Sequence, residues 1–219
     1  YKLDDFNKSG NSYTLKSNVP YYTSEANTQP GMPKYRDLND DGVINTNDCT
    51  FIGNGLPTHT GGFTNNFNYR DFDFSFFFQW SYGNDVLNAN RLMFESSWNR
   101  TRELNQFASY ADRWTIDNPT SNIPRATSSS SNRVFSSRII EDGSFLRLKT
   151  LTLGYTVPRK AISRVGIDQL RIYFAAQNLF TISNYSGYDP EVSIRESALT
   201  PGLDFSAYPR ARSFSFGIN

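Results

Sequence analysis

Between residues 71 and 82 the chain reads D-F-D-F-S-F-F-F-Q-W-S-Y, with an aromatic at every second place. Phe72, Phe74, Phe76, Phe78, Trp80 and Tyr82 fall on one side of an extended chain, and Asp73, Ser75, Phe77, Gln79 and Ser81 on the other. Successive side chains of a strand point to opposite faces, so this stretch predicts a β-strand with one aromatic wall and one wet wall. At helical spacing the same rings would be spread all round the axis. Such a face has two destinations. A soluble sheet buries it in a sandwich core, whereas a membrane barrel turns it to lipid, with Trp80 and Tyr82 as interfacial anchors.

Four more stretches alternate in the same way. Residues 60–69 place Phe63, Phe67 and Tyr69 on one face with Asn65, and Arg70-Asp71 then makes a tight turn into the aromatic strand. Residues 145–157 set Leu151, Leu153, Tyr155 and Val157 against Thr150, Thr152, Gly154 and Thr156. Counted by twos, Arg147 and Lys149 continue the apolar face, which puts that end of the strand among headgroups or lipopolysaccharide. Residues 169–180 set Leu170, Ile172, Phe174 and Ala176 against Arg171, Tyr173, Ala175 and Gln177, and residues 211–219 set Phe214, Phe216 and Ile218 against small residues.

The connections alternate as well. Short turns follow Tyr69 and Pro158, whereas residues 83–143 and 181–210 form long polar loops. Short helices are expected near residues 88–96 and 105–114, and residues 128–131 are a serine run. A bilayer imposes this order on an up-and-down barrel, because one rim faces the periplasm and the other the outside. Five strands are too few to close a barrel, whose smallest version has about eight. The sequence therefore predicts an all-β chain that is one segment of a large antiparallel transmembrane β-barrel. Residues 1–59 form an extracellular loop region and residues 60–219 carry the strands.

Composition narrows the possibilities. A formal net charge of +1 gives no reason to expect a nucleic-acid partner. The single cysteine, Cys49, excludes an intrachain disulfide, and the single histidine, His59, in a Thr/Gly/Pro-rich stretch, reads as an ordinary loop residue. Mean hydropathy is negative and no run approaches the ~20 apolar residues of a membrane helix, which does not exclude barrel strands. The chain opens Tyr1-Lys2-Leu3-Asp4, with neither methionine nor signal peptide, so a mature or cleaved fragment is expected.

Candidate chemistry is concentrated in residues 37–48. Asp37, Asn39, Asp41, Val43 (through its carbonyl), Asn45 and Asp48 stand at positions one, three, five, seven, nine and twelve of a calcium-loop pattern, with Gly42 at six. Asp48 replaces the usual Glu, and no amphipathic helix flanks the loop. An Asp/Asn/Gly turn held by its own side chains is the plainer alternative. Carboxylates such as Glu141, Asp142, Asp189 and Glu191 read as turn chemistry or solvated charge, and no catalytic constellation is expected. Trp98, Tyr110 and Trp114 suit either sugar stacking or a small core within the long loop.

Several blocks together resemble one family. They are K-Y-R-D-L-N-D-D-G-V-I-N-T-N-D (34–48), F-D-F-S-F-F-F-Q-W-S-Y-G-N-D (72–85), N-I-P-R-A (122–126), E-D-G-S-F-L-R-L-K-T-L-T-L-G-Y (141–155), A-A-Q-N-L-F-T-I-S-N-Y-S-G-Y-D-P-E-V (175–192) and A-Y-P-R-A-R-S-F-S-F-G-I-N (207–219). In that order they resemble the C-terminal part of SusC/RagA-type TonB-dependent outer-membrane transporters of Bacteroidetes. The resemblance implies a barrel of about 22 strands with a plugged lumen, a SusD-like surface lipoprotein as lid, and uptake of oligosaccharides or peptides driven through TonB. It also implies a plug and remaining strands that this sequence does not contain, a few further residues after Asn219, and outward-facing long loops, with the calcium-like loop stiffening that outer side. The competing possibility is a secreted, calcium-binding β-sandwich that binds carbohydrate or acts as an adhesin.

Overall fold

A computed structural model of the chain describes residues 1–25, 28–96, 104–127, 134–191 and 200–219. Trp98 and the serine run at 128–131 lie outside the described residues. The chain divides into two compact units, Tyr1–Gly53 with Asn88–Ile140, and Asn54–Leu87 with Glu141–Asn219.

In the first unit, β1 (Phe6–Ser9) and β2 (Ser12–Leu15) form a hairpin, and β3 (Tyr21–Tyr22) pairs in parallel with β4 (Val43–Ile44). Tyr1, Phe6 and Leu15 are buried together, with Tyr13, Val19, Tyr21 and Met32 packed round them. The expected helices shrink to α1 (Ala89–Phe94) and a single 3-10 turn, Ala108–Asp112. Glu95, at the end of α1, is buried and paired with Arg91 and Arg138.

The second unit is a five-stranded antiparallel meander. Its strands are β5 (His59–Tyr69), β6 (Phe72–Tyr82), β9 (Phe145–Thr156), β10 (Arg171–Ser183) and β12 (Ser213–Ile218), neighbours in that order. Three short strands, β7 (Asp85–Asn88), β8 (Ile140–Asp142) and β11 (Leu203–Asp204), make a separate small sheet within the long connections. The fourth long strand begins at Arg171 rather than near 169 and runs to Ser183, three residues past the expected end at 180. His59 opens β5 rather than sitting in a loop; its ring stacks on Tyr82, and its Nδ1 accepts the Trp80 indole N–H at 3.2 Å.

The register fixes the ends. Tyr69 pairs with Phe72 across the two-residue turn Arg70-Asp71, and Thr156 with Arg171 across the link containing α2 (Arg159–Ile162). Both short connections therefore leave from one end of the sheet. The two long ones leave from the other, where Ser81 pairs with Phe145 and Gln177 with Ser213. Among the described residues β5 and β12 each have one unpaired edge.

One contact in the first unit constrains the backbone tightly. Gly31 has φ +80°, and a Cβ there would lie 2.3 Å from the indole of the buried Trp114. Gly31→Ala combines a left-handed backbone with overpacking. It is expected to cost about 2–4 kcal/mol, read as a lower unfolding midpoint together with red-shifted tryptophan emission. An unchanged midpoint would show that the loop repacks freely round Trp114.

Candidate functional site

The two faces of the sheet are the functional surfaces. On the outer face Phe72, Phe74 and Phe76 stand opposite Tyr155, Leu153 and Leu151, and these in turn face Ile172, Phe174 and Ala176. The rings touch sideways, with centroids 5.7 Å apart for Phe74–Phe76, 5.6 Å for Phe76–Phe78 and 6.1 Å for Phe78–Phe180. Phe63, Phe67, Phe72, Phe214 and Phe216 remain at least half exposed. No second sheet of this unit covers them among the described residues. Tyr69, Phe72 and Tyr155 cluster at the short-turn end, and His59, Trp80 and Tyr82 at the long-loop end. Eleven residues of β6 extend about 33 Å, which at a tilt near 40° is about 25 Å of height. That is the height of the apolar band of an outer-membrane barrel.

The inner face is polar and differs from the sequence expectation at one place. Arg147 and Lys149 do not continue the apolar face. β9 carries a bulge against β6, so that Phe77 opposes Thr150 while Phe78 already opposes Leu148. The extra residue is Lys149. Past it the phase reverses: Leu146 and Leu148 join the outer aromatics, and Arg147 stands opposite Gln79 on the inner wall. The sequence carries the signal. Leu146, Leu148, Leu151, Leu153 and Tyr155 are spaced by twos with a single step of three.

Arg147 is 2% exposed. Its Nη2 donates to Asp189 Oδ1, and its Nη1 lies 3.1 Å from Glu191 Oε2, an ion-pair contact whose geometry makes no hydrogen bond. Asp189 also accepts the backbone N–H groups of Glu191 (2.9 Å) and Arg210 (3.1 Å). Glu191 Oε1 meets Arg210 at 3.0 Å and Lys149 at 3.6 Å, and Lys149 donates to Gln79. Burial pushes the Asp189 carboxyl upward. The Glu191 amide, the Arg147 guanidinium and the Arg210 amide outweigh it and hold the group below the usual carboxylate range. Asp189 and Glu191 are thus a buried clamp rather than solvated charge. It ties residues 188–191 and 210 to the wall. Nearby, Tyr185 donates to the buried Asp204 at 2.5 Å, and burial together with that bond raises the phenol. Glu141 accepts both the N–H and the hydroxyl of Ser186.

The loop at 37–48 folds on itself. Asp37 Oδ2 accepts the Gly42 N–H at 2.8 Å, while its Oδ1 is buried without a partner. Asp41 accepts from Val43 N and Asn39 Nδ2, Val43 O accepts from Asn45 Nδ2, and Asn45 Oδ1 accepts from Asn47 N. Both oxygens of Asp48 accept backbone N–H groups, from Asn45 and Leu38, which lowers its pKa. Among the described residues no group of three or more acidic, His or Cys side chains is disposed to hold a metal. Tyr110 and Trp114 are both buried in the long connection, Trp114 beneath Arg125 and against Gly31. They form part of that loop's core.

No protein-family model matches the chain. Curated relatives do. The chain is 34% identical over 202 residues to TonB-dependent receptor P3 of Formosa agariphila, covering 90% of this chain and 20% of that receptor. It is 38% identical over 194 residues to receptor P26 of the same organism, covering 86% and 19%, and 29% identical over 197 residues to TonB-dependent receptor SusC of Bacteroides thetaiotaomicron, covering 89% and 18%. Among solved structures it is similar to the RagAB peptide transporter, with a TM-score of 0.62, 28% identity, and coverage of 75% of this chain and 17% of that one. The closed-closed RagAB peptide importer gives 0.66, 26%, 85% and 20%. The chain spans about a fifth of the length of the curated relatives it matches. The sheet is accordingly a segment of a large β-barrel.

Asp189→Asn removes the charge that faces the buried Arg147. Glu191, 3.1 Å from Nη1, is then the one carboxylate left beside the guanidinium; breaking a buried pair costs up to about 3–5 kcal/mol, expected as faster protease cleavage near residues 184–212 in the full-length protein. Because the Asp189 pKa is depressed on folding, its stabilisation is complete above the ordinary carboxylate pKa of 3.8 and is lost as pH falls through the lower folded value. Wild-type protection at these residues should therefore hold down to about pH 4 and then fall, while the variant lacks that part of the dependence. Equal cleavage of the two proteins at pH 7 would show that the clamp does not hold the loop.

Proposed function

This chain is a segment of a SusC/RagA-type TonB-dependent receptor, and on that premise we propose that it forms five wall strands of an outer-membrane nutrient importer. The observation that carries this reading is the exposed aromatic face, about 25 Å high between two belts of Tyr, Trp and Phe. The long-connection end faces outward, toward a SusD-like lipoprotein lid and the arriving cargo. The short-turn end faces the periplasm, where TonB acts through parts of the receptor beyond this segment. The cargo is an oligosaccharide or a peptide. The similarity to the RagAB peptide importers supports the peptide class, the oligosaccharide class is carried by the sequence resemblance alone, and the role is transport rather than catalysis.

Two measurements test it. Phe76→Arg puts a charge at the middle of the outer face, where it costs about 2–4 kcal/mol, whereas Ser75→Arg puts the same charge on the wet face. In the full-length receptor the first is expected to reduce folded, heat-modifiable barrel in the outer membrane severalfold and the second to leave it near wild type. Equal effects would sink the lipid assignment. Deleting the receptor gene should abolish growth on one defined oligosaccharide or peptide source and spare growth on its monomers; growth on every such source would remove the import role.

A second proposal concerns residues 37–48. Asp37 Oδ1, buried and without a donor, supports calcium there, with Asn39, Asp41, the Val43 carbonyl, Asn45 and Asp48 as the other oxygen ligands. Calcium would stiffen the loop, and Asp48, already braced by two amides, is the weakest of the six. Calorimetry on EDTA-stripped receptor should give one site in the range of extracellular modules, about 10⁻⁴–10⁻³ M, lost in Asp37→Ala. No calcium heat and no shift in unfolding temperature would leave a self-bonded turn.

A further inference from the structure

We propose that the small cavity at the long-connection end of β10 is an oxyanion site, taking a phosphate or carboxylate group on Arg147, Arg210 and Arg212. The cavity has a volume of about 250 Å³; Asn178, Thr181 and Tyr188 also line it, as does Asp189, whose carboxylate is already held by Arg147 and two backbone N–H groups. It sits where β10 departs from regular pairing: the register with β9 jumps between Gln177 and Phe180, and Asn178 takes a left-handed backbone at φ 50°. The bulge opens the wall at the level of the Arg147 clamp.

Charge is the first reason. Among the described residues Arg147, Lys149, Arg210 and Arg212 are set against two carboxylates, Asp189 and Glu191. Arg212 forms no ion pair among the described residues. Arg147 is buried and Lys149 half-buried, where a charge has to be matched by an anion, whereas Arg210 and Arg212 stand exposed at the mouth and are free to meet one from solution. Among the described residues the cluster has two more positive than negative charges, and Arg210 and Arg212 bring that surplus to the mouth of the cavity.

Hydrogen bonding is the second. Arg147 offers five N–H groups and is 2% exposed, yet its Nε and Nη1 have no hydrogen-bond partner among the described residues. Buried charged donors in native proteins are satisfied, and leaving one unmade is more expensive than for a neutral group. A planar guanidinium presents paired N–H groups at the spacing of two oxygens on one phosphorus or carbon. Asn178 Oδ1 is likewise buried without a donor, and its Nδ2 is already committed to Ala211 O. A protonated phosphate oxygen, or a water carried with the anion, satisfies that acceptor. Waters alone would meet the hydrogen bonds but leave the charge.

This site goes beyond the import reading and does not depend on it. Only the source of the anion does: on the inner wall, which faces the lumen, it is an acidic group of the cargo, carboxylate or phosphate. Both present the same chemistry to the cavity.

The test uses the full-length receptor purified in detergent and exchanged into a chloride buffer free of phosphate and carboxylate. Inorganic phosphate, titrated at constant ionic strength, should bind saturably at one site, by calorimetry and by a rise in unfolding midpoint. Arg212→Gln should weaken binding by about tenfold or more, the scale of one charged hydrogen bond. Arg147→Lys should do the same, because lysine keeps the charge but lacks the Nε–H and the planar fork. If Arg147→Lys does not fold, Arg212→Gln, at the exposed rim, still decides. Phosphate behaving like chloride, or binding equally well to wild type and Arg212→Gln, overturns the site. Displacement of phosphate by a peptide with a free C-terminal carboxylate supports the site with cargo as the source. Import is measured separately, so a receptor that transports normally but binds no phosphate refutes this site alone.

Discussion

The aromatic face of β6 and its neighbours has to meet an apolar medium that the chain itself does not supply. A buried Phe side chain is worth about 1.5–3 kcal/mol relative to an exposed one, and this face presents many of them across five strands. Their mutual contacts, tilted, T-shaped or stacked, lie within one layer with centroids near 6 Å, and leave many of the rings exposed. In water such a sheet would be an aggregation surface. In hydrocarbon it is at its minimum. The two aromatic belts, the alternation of short and long connections and the polar inner wall are each what the proposed setting of that one face in a bilayer requires.

Much of this was legible because a strand has a period of two and needs no partner to show it. Residues 72–82 and 213–218 are regular, and their side-chain alternation names both faces without further information. The inner wall near the long loops was not legible in the same way. Counting by twos from Tyr155 carries Arg147 to the lipid side, and only the three-residue step between Leu148 and Leu151 reveals the bulge. One inserted residue moves a guanidinium from headgroups into a buried clamp. It also brings Asp189 and Glu191, some forty residues on, from loop to wall, and no local pattern announces a pairing at that separation.

Short-range polar patterns were ambiguous for another reason. The spacing in residues 37–48 satisfies both a calcium loop and a self-bonded turn, since the same Asp and Asn side chains serve either. The observed bonds use most of those oxygens on backbone N–H groups, with Asp37 Oδ1 the exception. In the long connection Tyr110 and Trp114 could have been platforms for sugars, but both side chains are buried in the loop's own core. Aromatic residues in loops advertise burial and recognition with equal force, and only packing tells them apart.

The inner wall then shows how a polar face holds strands together without a core. At the short-turn end Arg171 reaches across β9 to Asp73 on β6 with bonds of 2.9 and 2.5 Å, and Gly154 lies beneath the pair. A Cβ on Gly154 would stand 2.3 Å from Asp73 Oδ1 and 2.4 Å from Arg171 Nη2, so the crossing needs a residue without one. At the opposite end Arg147, Asp189, Glu191 and Arg210 make the second cross-link, tied to the wall through Lys149 and Gln79. Charges thus bridge strands at both rims of the inner face, where a fluid-filled or protein-filled lumen can hydrate their free sides. The outer face between the belts is left to Phe, Leu and Ile. Reversing that arrangement would set ionised groups in hydrocarbon at several kcal/mol each, about 2–4 for an Arg at mid-depth. It is the placement of the ion pairs, as much as of the aromatics, that fixes which side of this sheet is the inside of a barrel.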